Sequence, residues 1–153
     1  MTIINNNLKF IKSEYVSFLF RIVLGVIFIY AGYVKIVDPA GFAIEIDNYR
    51  IMPEAVTNLF AIYIPWLECI CGLLLVTGVF FRAGAMIIAS LTIAFMFILA
   101  SALFRGLDIS CGCFGTGEAV SIWRIVEDLL LLLMALYILK IRESFAALEN
   151  IWD

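Results

Sequence analysis

The sequence predicts an all-α integral membrane protein, a four-helix transmembrane bundle with a short interfacial helix between helices 1 and 2. Hydrophobic residues make up 65% of the 153 residues, and the mean hydropathy is +1.09. A soluble domain of this size cannot bury so much apolar surface. A spanning helix needs about 20 mostly apolar residues. Four windows meet that length within a single domain covering residues 1–153, at about 17–37, 59–81, 83–104 and 119–139.

The first window is predicted to stay in the protein as a membrane helix. Its apolar stretch is longer than the core of a typical signal peptide. Tyr33-Val34-Lys35-Ile36 also stands where a small-residue cleavage site would be needed. We therefore do not expect cleavage after this window.

A short amphipathic helix is predicted between the first and second windows. Asp38-Pro39 favours a turn, and Asp38 can cap a helix that follows it. Phe42, Ile46 and Tyr49 then recur at helical spacing, with charged residues between them. Such a pattern is typical of a helix lying at a membrane interface.

The later connections and the basic residues predict the topology. Residues 80–84 form a short turn, so windows two and three should be antiparallel neighbours. With four spans, the side holding both termini and Arg82 has six of the ten Lys and Arg residues, and the other side has four. Cytoplasmic loops are richer in Lys and Arg. We expect a multi-pass protein of the cell inner (cytoplasmic) membrane with both termini cytoplasmic.

The loop after the third window carries the most informative motif, Cys111-Gly112-Cys113-Phe114-Gly115. Thiolates are the reactive form of cysteine, and nearby positive charge, which Arg105 and Arg124 can supply, favours them. A disulfide between residues i and i+2 closes a strained ring, and strained exposed disulfides are labile and oxidising. The predicted extracytoplasmic position also allows disulfides to persist. The motif therefore favours thiol–disulfide redox work, with Cys111 and Cys113 as the catalytic residues.

Two other interpretations of the cysteines stay open. Cys111 and Cys113, with Cys71, can bind Cu(I), which prefers thiolates, as part of a soft-metal binding or transport module. The chain can instead be a structural membrane anchor for a soluble oxidoreductase, in which the thiols have no catalytic role. Histidine is absent, which excludes imidazole catalysis and His-ligated metals.

Glu68 is the most notable charged residue inside a window. It lies about ten residues, or roughly 15 Å, into window two. A carboxyl group at that depth is costly unless it is protonated or paired, and it usually faces the bundle interior. Proton handling at a catalytic site and a structural ion pair are both compatible with it, and Lys35 is the expected partner. Cys71 should share its face.

The remaining charges are expected to have supporting roles. Arg124 and Asp128 are four residues apart and can pair on one face of the fourth helix, with Glu127 pointing elsewhere. Arg21 is expected to extend its side chain to the lipid headgroups. Cys69 and Cys71 are roughly 200° apart on a helix and cannot bridge each other.

A set of short segments along the chain forms a recognisable pattern. They are Arg21 to Gly25 with Phe28, Ala31-Gly32, Lys35-Ile36, Asp38-Pro39, Pro65 to Glu68 with Gly72, Arg105-Gly106 and Cys111 to Gly115. These segments resemble the MauE/DoxX membrane proteins. The resemblance covers about residues 17–139, and the cysteine segment is more similar to the MauE branch than to DoxX proteins in general. The adjacent Arg-Asp pair common at the start of the family's last helix is absent, since the charges here are Arg124, Glu127 and Asp128.

The resemblance implies a four-helix membrane protein associated with a redox process. MauE is tied to maturation of methylamine dehydrogenase, whose small subunit is rich in disulfides, and DoxX relatives are linked to sulfur-compound oxidation and thiol stress. We therefore expect two partners, the lipid bilayer and an extracytoplasmic thiol or disulfide protein, for which a thioredoxin-like protein is one candidate. The net charge of -3 gives no reason to expect nucleic acid.

The sequence identifies neither the electron acceptor nor whether the chain is a complete enzyme. Disulfide-generating quinone reductases are also four-helix membrane bundles, so a membrane quinone is the acceptor suggested by analogy of fold alone. No motif identifies a quinone site, and Cys-x-x-Cys is missing. On the thiol–disulfide interpretation, the chain is either a thiol-disulfide oxidoreductase or a redox-active accessory subunit.

Overall fold

The computed structural model describes residues 2–105 and 122–140, with side chains for 14–53, 55–105 and 123–140. All regular structure in these ranges is helical, which confirms the predicted all-α class. Cys111 and Cys113 lie outside the described residues. The helices are α1 (Thr2–Val37), α2 (Pro39–Asn48), α3 (Glu54–Thr77), α4 (Phe81–Phe104) and α5 (Ile122–Lys140).

Three of the helices in the described part are long and apolar enough to cross a membrane, so the chain is a multi-pass membrane protein. The spans are Glu14–Val37, Ala55–Thr77 and Phe81–Phe104. They correspond to the first three predicted windows. The fourth window is helical as well, but charged residues in its first turns distinguish α5 from the other three.

The observed helix boundaries differ from the predicted windows where polar or capping residues decide them. α1 begins at Thr2 and not at residue 17, because apolar character marks the membrane-facing part of a helix and not its whole length. α3 runs through Pro65 and stops at Thr77, short of residue 81. Gly78 follows with φ 76, and its N–H bonds to the carbonyl of Leu74, which is a common way to end a helix.

The short helix α2 forms where the sequence predicts it. The Asp38 side chain accepts a hydrogen bond from the backbone N–H of Gly41 at 2.9 Å, which caps the first turn. Pro39 occupies the first helical position, where its missing N–H costs nothing. α2 packs against α3 and α1. Its position at a membrane surface remains a prediction.

The four long helices contact one another in a closed ring, because α1 packs on α3, α3 on α4, α4 on α5 and α5 on α1. Glycines allow the closest of these approaches, as is usual between membrane helices. A Cβ atom added to Gly72 would lie 2.7 Å from the carbonyl oxygen of Gly25, and one added to Gly25 would lie 2.8 Å from that of Gly72. These two glycines therefore set the spacing of α1 and α3.

An apolar core fills one part of the ring, and large apolar side chains also cover much of the outside. Tyr30, Ile62, Phe97 and Leu130 are each more than half exposed. Such surfaces suit contact with lipid. The buried core comprises Leu24, Phe28, Cys71, Leu75, Phe81, Ala85, Ile88, Ala89, Met134, Ala135 and Ile138.

Candidate functional site: a charged cavity beside α2

A cavity of about 290 Å³ lies beside α2 and is lined by residues from all five helices. Most of its wall is apolar. The aromatic residues of the wall are Phe28, Phe42, Tyr49, Phe60 and Phe95. Four charged side chains also line it, namely Lys35, Glu45, Glu68 and Asp128. Charged groups inside membrane proteins are rare and usually mark functional sites, which makes this cavity the candidate site.

Lys35 and Glu68 form a buried ion pair in the cavity wall. The Lys35 Nζ lies 2.6 Å from Oε1 and 2.8 Å from Oε2 of Glu68, and each side chain is 9% exposed. The Lys35 ammonium also lies 5.0 Å from the centroid of the Phe42 ring. The pairing that the sequence favoured is therefore confirmed. The proton-handling role of Glu68 stays a prediction.

Close packing of α1 on α3 brings this pair together. A Cβ atom added to Gly32 would lie 2.6 Å from the Pro65 carbonyl oxygen and 2.6 Å from the Cys69 Sγ. Glu68 lies between Pro65 and Cys69 in α3, and Lys35 follows Gly32 by about one turn of α1. Both charged residues are therefore within about one turn of the point where the two helices touch.

Asp128 contributes an acidic group from α5. Its Oδ2 atom is buried and has no hydrogen-bond partner within the described part of the chain. A buried carboxyl oxygen without a partner is costly, so each such atom needs an explanation. Since Asp128 lines the cavity, a polar ligand atom is one group that can satisfy it.

Glu127, which was expected to point elsewhere, is an ion-pair partner of Arg124. Arg124 Nη1 donates to Glu127 Oε2 at 2.8 Å, three residues along α5. Glu127 is on the exposed side of α5, whereas Asp128 lines the cavity. Consecutive helix positions are about 100° apart, so the two acidic residues cannot share the same surroundings.

Glu45 is the charged residue that α2 adds to the cavity. Partial burial raises the pKa of its carboxyl group, the positive charge of Lys35 opposes that rise, and Asp38 adds to it. The helix thus brings a second acidic group toward the Lys35–Glu68 pair. The opposite charges of Lys35 and Glu68 cancel, so the two other charged residues of the wall, Glu45 and Asp128, are both acidic.

Arg105 joins the end of α4 to the end of α2. Its Nη1 donates to the backbone carbonyl of Tyr49 at 2.9 Å. Tyr49 is buried with Leu99 and Ala102 of α4, and Ile125 of α5 packs against the same cluster. The residues on both sides of segment 106–121 therefore meet near α2. Arg105 and Arg124 were predicted to stabilise the thiolates of Cys111 and Cys113. This stays a prediction, because both cysteines lie outside the described residues.

The cysteines of α3 are free thiols with different surroundings. Cys71 is fully buried in the apolar core, and the Cys69 Sγ lies 3.7 Å from the carbonyl oxygen of Ile29, to which it donates. Glu68, Cys71 and the adjoining Gly72 are all buried, as expected for one internal surface. Within residues 2–105 and 122–140, no group of three or more Cys, Asp or Glu side chains is arranged to hold a metal ion.

Arg21 does not extend to the lipid headgroups as expected. Its side chain is fully buried, and Nε donates to the Leu75 carbonyl at 3.1 Å. The guanidinium lies 4.8 Å from the centroid of the Phe81 ring and 5.9 Å from that of Phe18. Aromatic faces attract such a cation, and this attraction increases when water is excluded. Arg21 therefore links α1 to α3 and α4.

Sequence patterns missed the cavity itself and the part that Glu45 and Asp128 play in it. Glu45 was treated as one of the charges of an amphipathic helix, and Asp128 as a supporting charge that can pair with Arg124 on one face of the fourth helix. A signal for Asp128 was available, because it is the last charged residue before a run of five leucines in the fourth window. Its direction depends on how α5 is rotated against α1 and α4, which no local pattern specifies.

The fold and the cavity define a helical membrane protein with an internal charged site. The family model described as Methylamine utilisation protein MauE matches residues 13–141, so the chain belongs to the MauE family. The methylamine utilization protein MauE of Paracoccus denitrificans is 29% identical over 132 residues, covering 84% of this chain and 71% of the relative. No solved structure matches the chain significantly. The DoxX part of the resemblance stays a prediction.

Proposed function

We propose that this chain is a redox-active membrane component that supports the oxidation or maturation of a partner protein, using Cys111 and Cys113 for thiol–disulfide exchange. The observation that carries the proposal is the Cys-Gly-Cys pair in a chain of the MauE family. The name of the Paracoccus relative suggests that the partner belongs to a methylamine utilisation system. A thioredoxin-like protein is a second partner of suitable chemistry.

The exchange proceeds through a mixed disulfide. A thiolate of the partner attacks one sulfur of the Cys111–Cys113 disulfide, and the other cysteine leaves as a thiolate. A second partner thiol then displaces the bound cysteine, forming the partner's disulfide. The partner loses two electrons and two protons, and the Cys111–Cys113 pair becomes a dithiol. Another oxidant must restore the disulfide before the next cycle.

The proposed membrane arrangement makes α5 the fourth span. Its 19 residues are about 28 Å long, close to the thickness of the hydrocarbon core. Three of its four charged residues lie in the first two turns, where Arg124 pairs with Glu127 and Asp128 lines the cavity, and Lys140 ends the helix. In this arrangement the four long helices form a transmembrane bundle and α2 lies at the interface. Both termini are in the cytoplasm, and the cysteine segment lies outside the inner membrane.

Lys35 and Glu68 are proposed to support the same chemistry. Their pairing keeps two buried charges next to an internal cavity, at the end of the ring where Arg105 contacts Tyr49. Arg105 and α5 are the described parts of the chain on either side of segment 106–121, and both contact the cluster that contains Tyr49. Glu68 is the proposed site for proton exchange when the thiols react.

Replacement of both cysteines tests the proposal. We expect a Cys111→Ser, Cys113→Ser variant to insert normally and to lose pathway activity by more than about tenfold, because no disulfide is left to accept electrons. The single variants should accumulate or abolish the mixed disulfide, seen as a reducible band on a denaturing gel. The matched control is Cys69→Ser, Cys71→Ser, which removes two thiols of α3 and should keep the activity.

Full activity of the Cys111→Ser, Cys113→Ser variant would contradict thiol exchange and favour the structural membrane anchor. The metal-binding alternative predicts a different pair of results. The variant would lose activity, and the purified wild-type protein would contain stoichiometric copper while the purified variant would contain no copper. The amount of each variant recovered in the membrane fraction distinguishes these outcomes from a failure of membrane insertion.

A further inference from the structure

We infer that the cavity beside α2 binds the ring headgroup of a membrane quinone. The role of the bound quinone rests on the proposed function, in which it is the oxidant that restores the disulfide of Cys111 and Cys113. The binding itself is argued only from the described residues of the cavity. Size, wall chemistry and charge each restrict the ligand.

The size of the cavity suits a ring and not a whole lipid. Its volume of about 290 Å³ lies at the low end of the range of roughly 300–1,000 Å³ for small-molecule sites. Phe28, Phe42, Tyr49 and Phe95 provide aromatic surfaces, against which a flat ring packs well. An isoprenoid tail must leave the cavity toward the apolar outer surface.

The charges of the wall exclude acidic ligands. Lys35 and Glu68 neutralise each other at 2.6 Å and 2.8 Å, which leaves Glu45 and Asp128 as the other charged residues of the described wall. A fatty acid or the phosphate of a phospholipid would bring a further negative charge beside them. The wall thus favours a ligand with an uncharged headgroup.

The hydrogen-bonding groups match the two redox states of a quinone. An ammonium has three N–H donors, and Glu68 takes two of those of Lys35, so one remains for a ligand carbonyl. The carboxyl group of Asp128 has a buried oxygen without a partner in the described part of the chain. An ionised carboxyl accepts from a quinol hydroxyl, and a protonated one donates to a quinone carbonyl.

The coupled reaction balances without another reactant. The dithiol of Cys111 and Cys113 gives up two electrons and two protons as the S–S bond forms. The quinone takes up the same two electrons and two protons, and its two carbonyl groups become the hydroxyl groups of the quinol. In this scheme Asp128 is a binding group that exchanges a proton with the ring oxygen.

Photoaffinity labelling tests the inference. The purified full-length protein, in nanodiscs of neutral lipid, is illuminated with a short-tailed azidoquinone, and the labelled peptides are identified by mass spectrometry. We expect saturable labelling of cavity-lining peptides that decylubiquinone prevents and palmitate does not. Asp128→Leu keeps the branched shape of the side chain and removes the polar atoms, so half-saturation should need about tenfold more probe. Glu127→Leu, at the next position on the exposed side, should change it by less than about twofold.

A second pair of variants covers the case in which Asp128→Leu does not fold. Leu91→Trp enlarges a cavity-lining side chain of α4 and should abolish labelling, whereas Ile93→Trp, on the exposed side of α4, should not. Labelling that does not saturate, that palmitate prevents equally well, or that all four variants leave unchanged would overturn the inference.

The cysteine variant separates this inference from the proposed function. Cys111→Ser, Cys113→Ser leaves every described residue of the cavity in place, so quinone labelling should persist in it. Labelling that is absent from the wild-type protein contradicts the quinone site alone. Full pathway activity of the cysteine variant contradicts thiol exchange alone.

Discussion

The ion pair between Lys35 and Glu68 is the residue-scale feature on which the candidate site depends. Each side chain is only 9% exposed, so neither charge has water to replace its partner. Formation of such a pair contributes little net stability, because desolvation offsets the attraction, but loss of one member leaves an uncompensated buried charge. The pair therefore constrains the site more than it stabilises the fold.

A double-mutant cycle measures this constraint. Lys35→Met should lower the free energy of unfolding by about 3 kcal/mol, since it leaves the Glu68 carboxylate buried and unpaired. Lys35→Met, Glu68→Leu should recover to within about 1 kcal/mol of the wild-type protein, because both charges are gone. The measurement is reversible unfolding in mixed micelles.

The activity of the same variants separates function from stability. Glu68→Gln keeps the size of the side chain and an oxygen that can accept from Lys35. It should reduce pathway activity by about tenfold or more if Glu68 exchanges a proton. Equal losses of stability in the single and double variants would contradict the ion-pair account, and full activity of Glu68→Gln would contradict proton exchange.

At the scale of the helices, Gly25 and Gly72 hold α1 and α3 at the distance that the ion pair needs. Each glycine faces the backbone of the other helix, where an added Cβ would lie within 2.8 Å of a carbonyl oxygen. A backbone carbonyl group cannot rotate away from an added Cβ atom as a flexible side chain can. A larger residue must therefore separate the helices, and separation also lengthens the distance between Lys35 and Glu68.

Enlargement of Gly72 tests the role of this contact. Gly72→Val should lower the free energy of unfolding by about 2 kcal/mol or more, because the added atoms force the helices apart. Ala83→Val is the matched control, since Ala83 is an exposed residue of the first turn of α4. Its effect should stay within about 0.5 kcal/mol. Similar stability of the two variants, measured by thermal unfolding in detergent, would contradict close backbone packing at Gly72.

Local chemistry explains which elements could be predicted from the sequence. Asp38-Pro39 carries both the cap and the first residue of α2, and the apolar windows reveal the spans, because each signal lies within a few neighbouring residues. The Lys35–Glu68 pair was predictable because buried charges require partners. Arg21, Glu45 and Asp128 were not, since their surroundings are supplied by residues of other helices. Phe81 beside Arg21 is an example, sixty positions further along the chain.

At the scale of the whole molecule, the helix ring brings the internal cavity, Arg105 of α4 and the start of α5 to one end. Arg105 bonds to Tyr49, and Ile125 packs on the cluster containing Tyr49, so α2, α4 and α5 meet there. Tyr49 also lines the cavity. In the proposed topology this end faces away from the cytoplasm, where an oxidised cysteine pair can persist.

The most direct test of the central claim is the thiol state of Cys111 and Cys113 in intact cells. A membrane-impermeant maleimide is applied to a Cys69→Ser, Cys71→Ser background, which leaves only the two cysteines of interest. A further variant with Ser at 111 and 113 is the control for background labelling. We predict little labelling before reduction and two labels per chain after a brief treatment with an impermeant reductant, because the pair is an accessible extracytoplasmic disulfide. Full labelling without the reductant, or labelling only after the membrane is opened, would contradict this account.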